Sequence, residues 1–254
     1  VDDADLKVSH ILRGDDHITN TAAQIKLFQY LGSNIPTFAH FPLMRTKSGS
    51  GLSKRFNSFS LKEIKKKKIL PIIIINYLSK IGSSLSIENF DNIENLISNF
   101  KINLFSKNSV LFNDEDLLRM NSKNLKELSS NELKQNFGFN CDEKFWSIIR
   151  GNIEEFDEIE EWYSIISKGI NIKVKIDEKL INLIINNVPE KIDLDSWQMW
   201  TKKILENTDI KPKDLFIKIR MLLTGKNFGP SMNQLLTLFT KNEILKRIEN
   251  NSEK

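Results

Sequence analysis

LKVSHILRGDDHITNTAAQIKLFQYLGSNIPTFAHFPLMR, residues 6–45, is the stretch that decides the fold. LKVSHILRG alternates loosely between apolar and polar positions and stops at Gly14, a strand signal. TNTAAQIKLFQYLG follows, with Ile25, Phe28 and Leu31 on one helical face and Gly32 just past its end. TFAHFPLMR is strand-like again. Strand, helix, strand in that order is one βαβ unit of a parallel sheet.

Beyond this unit the texture changes. LKEIKKKKILPIIIINYLSKIG, residues 61–82, reads as two helices meeting at Leu70 and Pro71 and closed by Gly82. IENLISNF and DEDLLRMNSKNLKEL continue as amphipathic helices with polar joints. From about residue 136 onward helical periodicity is nearly continuous. Leu180, Leu183, Ile184 and Val188 form one stripe, and Trp197, Trp200 and Ile204 another. KPKDLFIKIRMLLTG places Pro212 in a first turn and Gly225 at an end. The expected fold class is therefore a partial α/β domain followed by an all-α helical body. The expected divisions are 1–57 (α/β), 58–135 (helical) and 136–254 (helical).

Composition sets outer bounds. The chain has 254 residues, 40% of them apolar and 28% charged, an ordinary globular balance that excludes a disordered chain. Ten glycines and six prolines are few for this length, which favours helices over a turn-rich β architecture. The net charge of +4 permits a polyanionic partner without requiring one. The single cysteine, Cys141, excludes an internal disulfide and a cysteine-based structural zinc. A reducing, cytoplasmic setting fits that usage. The longest apolar run, ILPIIIINYL, is half the length of about 20 residues that a membrane helix needs. The chain opens on Val1 in what reads as the middle of a domain, so it is expected to be a fragment or a truncated form.

Three constellations offer chemistry. Arg13-Gly14-Asp15-Asp16-His17 sits where a strand ends and a helix begins, the position at which open α/β sheets bind ligands. An arginine there can fork onto a carboxylate, and the carboxylates can hold an ammonium group. The same residues also serve as ordinary turn and cap residues. SGSGLSKRF, residues 48–56, is a Gly/Ser loop carrying Lys54 and Arg55 with Lys47 just before it. It suits either a phosphate-holding loop or a solvated linker, and it matches neither G-x-x-x-x-G-K-[ST] nor G-x-G-x-x-G. The lysine run at residues 65–68 suits a phosphate backbone or a solvated helix face. Trp146, Trp162, Trp197 and Trp200 are expected in packing roles. His10 and His40, in apolar strand context, are expected in the core.

Read in order, VDDADLKVSHILRGDDHITNT, the Ala39-His40-Phe41-Pro42-Leu43 run and Leu52-Ser53-Lys54-Arg55 closely resemble the second half of the catalytic domain of bacterial glutamyl-tRNA synthetases, a class I family. The resemblance continues through LPIIIINYLSKIG and LLTGKNFGP, so it covers essentially the whole chain. It implies a glutamate–tRNA ligase that makes glutamyl-adenylate from L-glutamate and ATP with Mg²⁺, and transfers the glutamate to tRNA-Glu. It implies Lys54 as catalytic and ATP-binding, with Ser53, Met44 and His17 also at the ATP. Arg13 and Asp16 are implied at the glutamate. Residues 58–135 become a stem-contact region and 136–254 an anticodon-binding region, in a monomeric enzyme without a membrane partner. The rest of the catalytic domain, with its HIGH-type motif, is absent, and Gly51 replaces the first lysine of the loop motif. A non-catalytic tRNA-binding remnant, or an enzyme also charging tRNA-Gln, fits the same motifs. A glutaminyl enzyme would end in a β-barrel, and the short enzyme that glutamylates queuosine in tRNA has no helical C-terminal domain.

Overall fold

The computed structural model describes residues 1–47, 49–51, 60–87 and 92–253. They form two compact units, Val1–Met120 and Asn121–Lys254.

In the first unit the expected βαβ element is present. Strand His10–Gly14 leads through a 3₁₀ turn, Asp15–His17, into the helix Ile18–Tyr30, and the chain returns as strand Thr37–Phe41. The two strands are parallel, with His10 opposite Thr37 and Gly14 opposite Phe41. The second strand ends sooner than TFAHFPLMR suggests. Pro42 has no N–H to continue a ladder, and Met44–Arg45 instead pairs in parallel with Val110–Leu111 in a separate sheet.

The unit's core is helical. Ile64, Ile69, Ile73, Tyr77, Ile81, Leu117 and Met120 pack together. Pro71 opens the helix Pro71–Lys80, where its missing N–H costs nothing. Tyr77, 1% exposed, ties this helix to a distant loop. Its hydroxyl donates to the Asn113 carbonyl at 3.0 Å and accepts from the Asn113 N–H at 2.9 Å. Burial pushes this phenol above its ordinary pKa, so it stays protonated and able to donate. Tyr77→Phe should leave both Asn113 groups without that partner and lower stability by about 1–2 kcal/mol in thermal unfolding. An unchanged midpoint would show that the bridge contributes nothing.

The second unit is built from helices Ser130–Phe137, Glu143–Ile149, Phe156–Lys168, Glu178–Asn186, Ser196–Leu205, Pro212–Thr224, Met232–Leu235 and Lys241–Asn251. One short parallel pair, Val174–Lys175 with Ser252–Glu253, completes it. Capping boxes start three of the helices, Ser129 with Glu132, Glu155 with Glu158 and Thr240 with Glu243. The tryptophans are packing residues, as their spacing implied. Trp146 and Trp200 are fully buried, and Trp162 and Trp197 nearly so. The buried indoles keep a hydrogen-bond partner: Trp146 Nε1 donates to the Leu128 carbonyl and Trp200 Nε1 to that of Ile184. Among the described residues no helix is long and apolar enough to cross a membrane.

Candidate functional site

The carboxyl ends of the two parallel strands carry a polar cluster centred on Arg13. Register puts Arg13 directly opposite His40. Thr21 and Gln24, three residues apart on the helix Ile18–Tyr30, face the same side chain. Arg13 Nη1 donates to Gln24 Oε1 at 2.6 Å, Nη2 donates to Thr21 Oγ1, and Nε reaches His40 Nε2 at 3.5 Å. The guanidinium also lies over the Phe38 ring, 5.2 Å from its centroid. Thr21, 9% exposed, ties the cluster together, with its hydroxyl 2.8 Å from His40 Nε2 and 3.1 Å from the His17 carbonyl.

All the atoms that accept from Arg13 are neutral groups. Among the described residues the guanidinium has no carboxylate partner. Three of its five N–H bonds are directed, which leaves two donors. Such an arrangement holds a cation in a fixed pose and leaves donors for an anion.

Asp16 and His17 stand beside this cluster on the 3₁₀ turn. Their side chains are 52% and 51% exposed, and the carboxylate lies 3.8 Å from His17 Nε2. His17 Nδ1 is also 3.3 Å from Asn20 Nδ2. A Cβ at Gly14 would lie 2.4 Å from Asp16 Oδ1, so a larger residue there would displace that carboxylate. Met44, 37% exposed, lies on the next short strand.

The loop after Met44 is described only at its base. Thr46 N–H donates to the Ser50 carbonyl and Gly49 N–H to the Thr46 carbonyl, both at 2.8 Å. Arg45 donates to the Gly49 carbonyl at 3.0 Å and forms a β-bridge with Gly51. Lys47 pairs with Glu115 at 2.9 Å, and that hydrogen bond raises the lysine pKa. Ser53 and Lys54, with Arg55, lie outside the described residues.

The two strand histidines differ from expectation. His10 starts its strand and is exposed, with a contact to Ser9. His40 is half-buried, but among polar groups rather than in the apolar core. The pattern reading missed this because alternation gives a strand's two faces and not what stands across from them. Gln24 was missed as well, although its i, i+3 spacing from Thr21 was a visible signal. The lysine run does not wrap one helix. Helix Leu61–Lys66 ends inside it, Lys66 pairs with Glu63, and Lys68 adopts φ 54° in the turn that follows. Cys141 is no nucleophile candidate: burial, then Asp142 and Glu143, push its thiol up to about 11.

Comparison with known proteins connects both units to one family. The model described as tRNA synthetases class I (E and Q), catalytic domain, matches residues 1–119. The model described as an anticodon binding domain matches residues 117–251. The chain is 37% identical over 253 residues to glutamate–tRNA ligase 1 of a Wolbachia from Brugia malayi, covering 98% of this chain and 57% of that protein. It is 36% identical over 254 residues to glutamate–tRNA ligase 1 of Rickettsia prowazekii, with the same coverage. It therefore spans little more than half the length of these curated relatives. Among solved structures, a glutamate tRNA ligase from Elizabethkingia meningosepticum superposes with a TM-score of 0.76 at 20% identity, over 98% of this chain and 57% of that one. At that identity the likeness speaks for the fold.

Proposed function

We propose, from the premise that the chain belongs to the class I tRNA synthetases of the E and Q type and corresponds to their C-terminal portion, that it is part of a glutamate–tRNA ligase. In the proposed reaction a carboxylate oxygen of L-glutamate attacks the α-phosphorus of ATP, the α–β phosphoanhydride breaks, and pyrophosphate leaves. A terminal ribose hydroxyl of tRNA-Glu then attacks the adenylate carbonyl and AMP leaves. Mg²⁺ enters with the nucleotide as Mg-ATP. The setting is cytoplasmic and the enzyme monomeric. Residues 1–57 contribute to the activation site, 58–135 to stem contact and 136–254 to anticodon contact.

The observation that carries this reading is Arg13, fixed by Gln24, Thr21, His40 and Phe38 without a carboxylate partner among the described residues. It is poised for a carboxylate substrate at the strand ends, where such sheets bind ligands. Asp16, next along the chain, takes the substrate ammonium group. His17 and Met44 line the ATP side. Lys54, with Ser53 beside it, supplies positive charge where it develops on the transferring phosphorus.

The test is glutamate-dependent ATP–pyrophosphate exchange by the chain joined to the part of a glutamate–tRNA ligase that it does not span. Exchange is expected, and Lys54→Ala should slow it about 10²–10³-fold. Undiminished exchange in that variant would remove Lys54 from the chemistry. A second reading, tRNA binding without activation, is favoured by Gly51 in the lysine position of the loop and by Lys47 being paired to Glu115. It predicts salt-dependent tRNA binding with no exchange at all.

A further inference from the structure

A cavity of about 280 Å³ opens in the Val1–Met120 unit, between the end of the helix Pro71–Lys80 and the helix Ile93–Asn99. Pockets that take small organic ligands start at about this size, roughly 300 Å³. None of the residues placed at the activation site lines it.

Its walls are fixed from both sides. After the first helix Gly82 turns the chain at φ 77°, and its carbonyl accepts from the Ser106 N–H at 2.8 Å. Ser83 forms a β-bridge with Phe105. The segments that leave the two helices are thus tied together. Phe105 packs against Phe100, with ring centroids 5.5 Å apart, and so steadies a lining ring that is 49% exposed. Leu85, Leu96 and Leu104 complete the apolar part of the lining.

Two ammonium groups line the same cavity. Lys80 is 3% exposed, an unusual burial for a lysine. Its Nζ donates to Asn76 Oδ1 at 3.3 Å, and Asn76, fully buried, donates to the Ile72 carbonyl at 3.1 Å. These contacts, each four residues apart on one helix, fix where the ammonium sits. Lys101 is exposed and, among the described residues, forms no ion pair. The other lining residues are two serines and Asn99, so the described lining carries positive charge and no carboxylate.

We propose that this cavity binds a small organic acid, with its carboxylate at Lys101 and its apolar part against Leu85, Leu96, Phe100 and Leu104. The lysines set the sign of the ligand, since an amine of the same shape would meet like charges. The leucines and Phe100 set its body. A bare inorganic anion would lose water against these walls and gain no apolar contact in return. The inference rests on the cavity and is independent of the proposed ligase reaction.

The experiment is titration of the chain with hexanoate, hexanamide and hexylamine, read by ligand-observed NMR. Hexanoate should bind with a Kd of about 1 mM, hexanamide about 10-fold more weakly, and hexylamine more weakly still. Lys101→Met should weaken hexanoate about 10-fold and bring it level with hexanamide. Leu85→Trp, a change at an exposed position that the fold tolerates, should fill the cavity and abolish binding. Arg13→Ala should leave hexanoate binding unchanged, which separates this cavity from the carboxylate site at the strand ends. Equal affinity for the three ligands would overturn the proposal, as would full affinity in both cavity variants. No hexanoate binding at about 20 mM would overturn it too. So would loss of binding in Arg13→Ala, since the ligand would then occupy the strand-end site. Displacement of hexanoate by an equal concentration of inorganic phosphate would also overturn it, because the contact would then be with charge alone.

Discussion

Arg247→Met should destabilise the Asn121–Lys254 unit by about 3–5 kcal/mol, because three helix-end carbonyls lose their donor together. Arg247 Nη1 donates to the Leu223 carbonyl at 2.9 Å, and Nη2 to those of Ile165 and Ile166 at 2.8 Å. These carbonyls lie in the last turns of helices Phe156–Lys168 and Pro212–Thr224, where no intrahelical N–H remains to satisfy them. The guanidinium also covers the Phe239 ring at 4.6 Å. One planar fork therefore closes two helix ends, an arrangement a single ammonium cannot copy. Arg247→Lys should recover roughly half the loss. Burial lowers the pKa of this arginine while Glu243, one turn earlier, opposes the shift. All four tryptophans lie in this unit, so urea titration followed by tryptophan fluorescence reads it directly. A loss below about 1 kcal/mol would show that water replaces the guanidinium at little cost.

Arg13→Ala should cut kcat/KM for glutamate about 10³-fold in the exchange assay, while KM for ATP stays within about 3-fold. The size follows from removing one partner of a hydrogen-bonded charge pair, worth about 4 kcal/mol, at about 1.4 kcal/mol per factor of ten. Arg13→Lys should recover little, because a point donor cannot satisfy Gln24, Thr21 and a substrate carboxylate at once. Equal losses for glutamate and ATP would mean that Arg13 supports the site as a whole. An unchanged glutamate constant would take Arg13 out of substrate binding. Stability should shift little, since Gln24 is only part-buried and Thr21 keeps His40 as a partner.

Much of the fold was legible because its signals are local. Apolar spacing located the helices, Pro212 and Gly225 bounded one of them, and alternation marked His10–Gly14 as a strand. The Trp197/Trp200/Ile204 stripe is buried as read, at 7%, 0% and 0% exposure. Failures came where a residue's neighbour is remote in sequence. His40 read as core because its own strand is apolar, yet its partners are Thr21, 19 residues away, and Arg13, 27 away. TFAHFPLMR read as one strand, yet Pro42 splits it between two sheets. The lysine run read as a helix face, yet the helix ends inside it.

The sequence by itself therefore determined most of the helices, the strand His10–Gly14, and the ordered motifs that resemble those of a class I synthetase. Hydrogen bonds and apolar contacts one turn or one pleat apart leave a periodic trace in the chain. Only the tertiary structure decided that Arg13 faces His40 across a parallel pair and that Arg247 closes two helices up to 82 residues away. Those relations depend on register and on the docking of whole elements, and no local period encodes them.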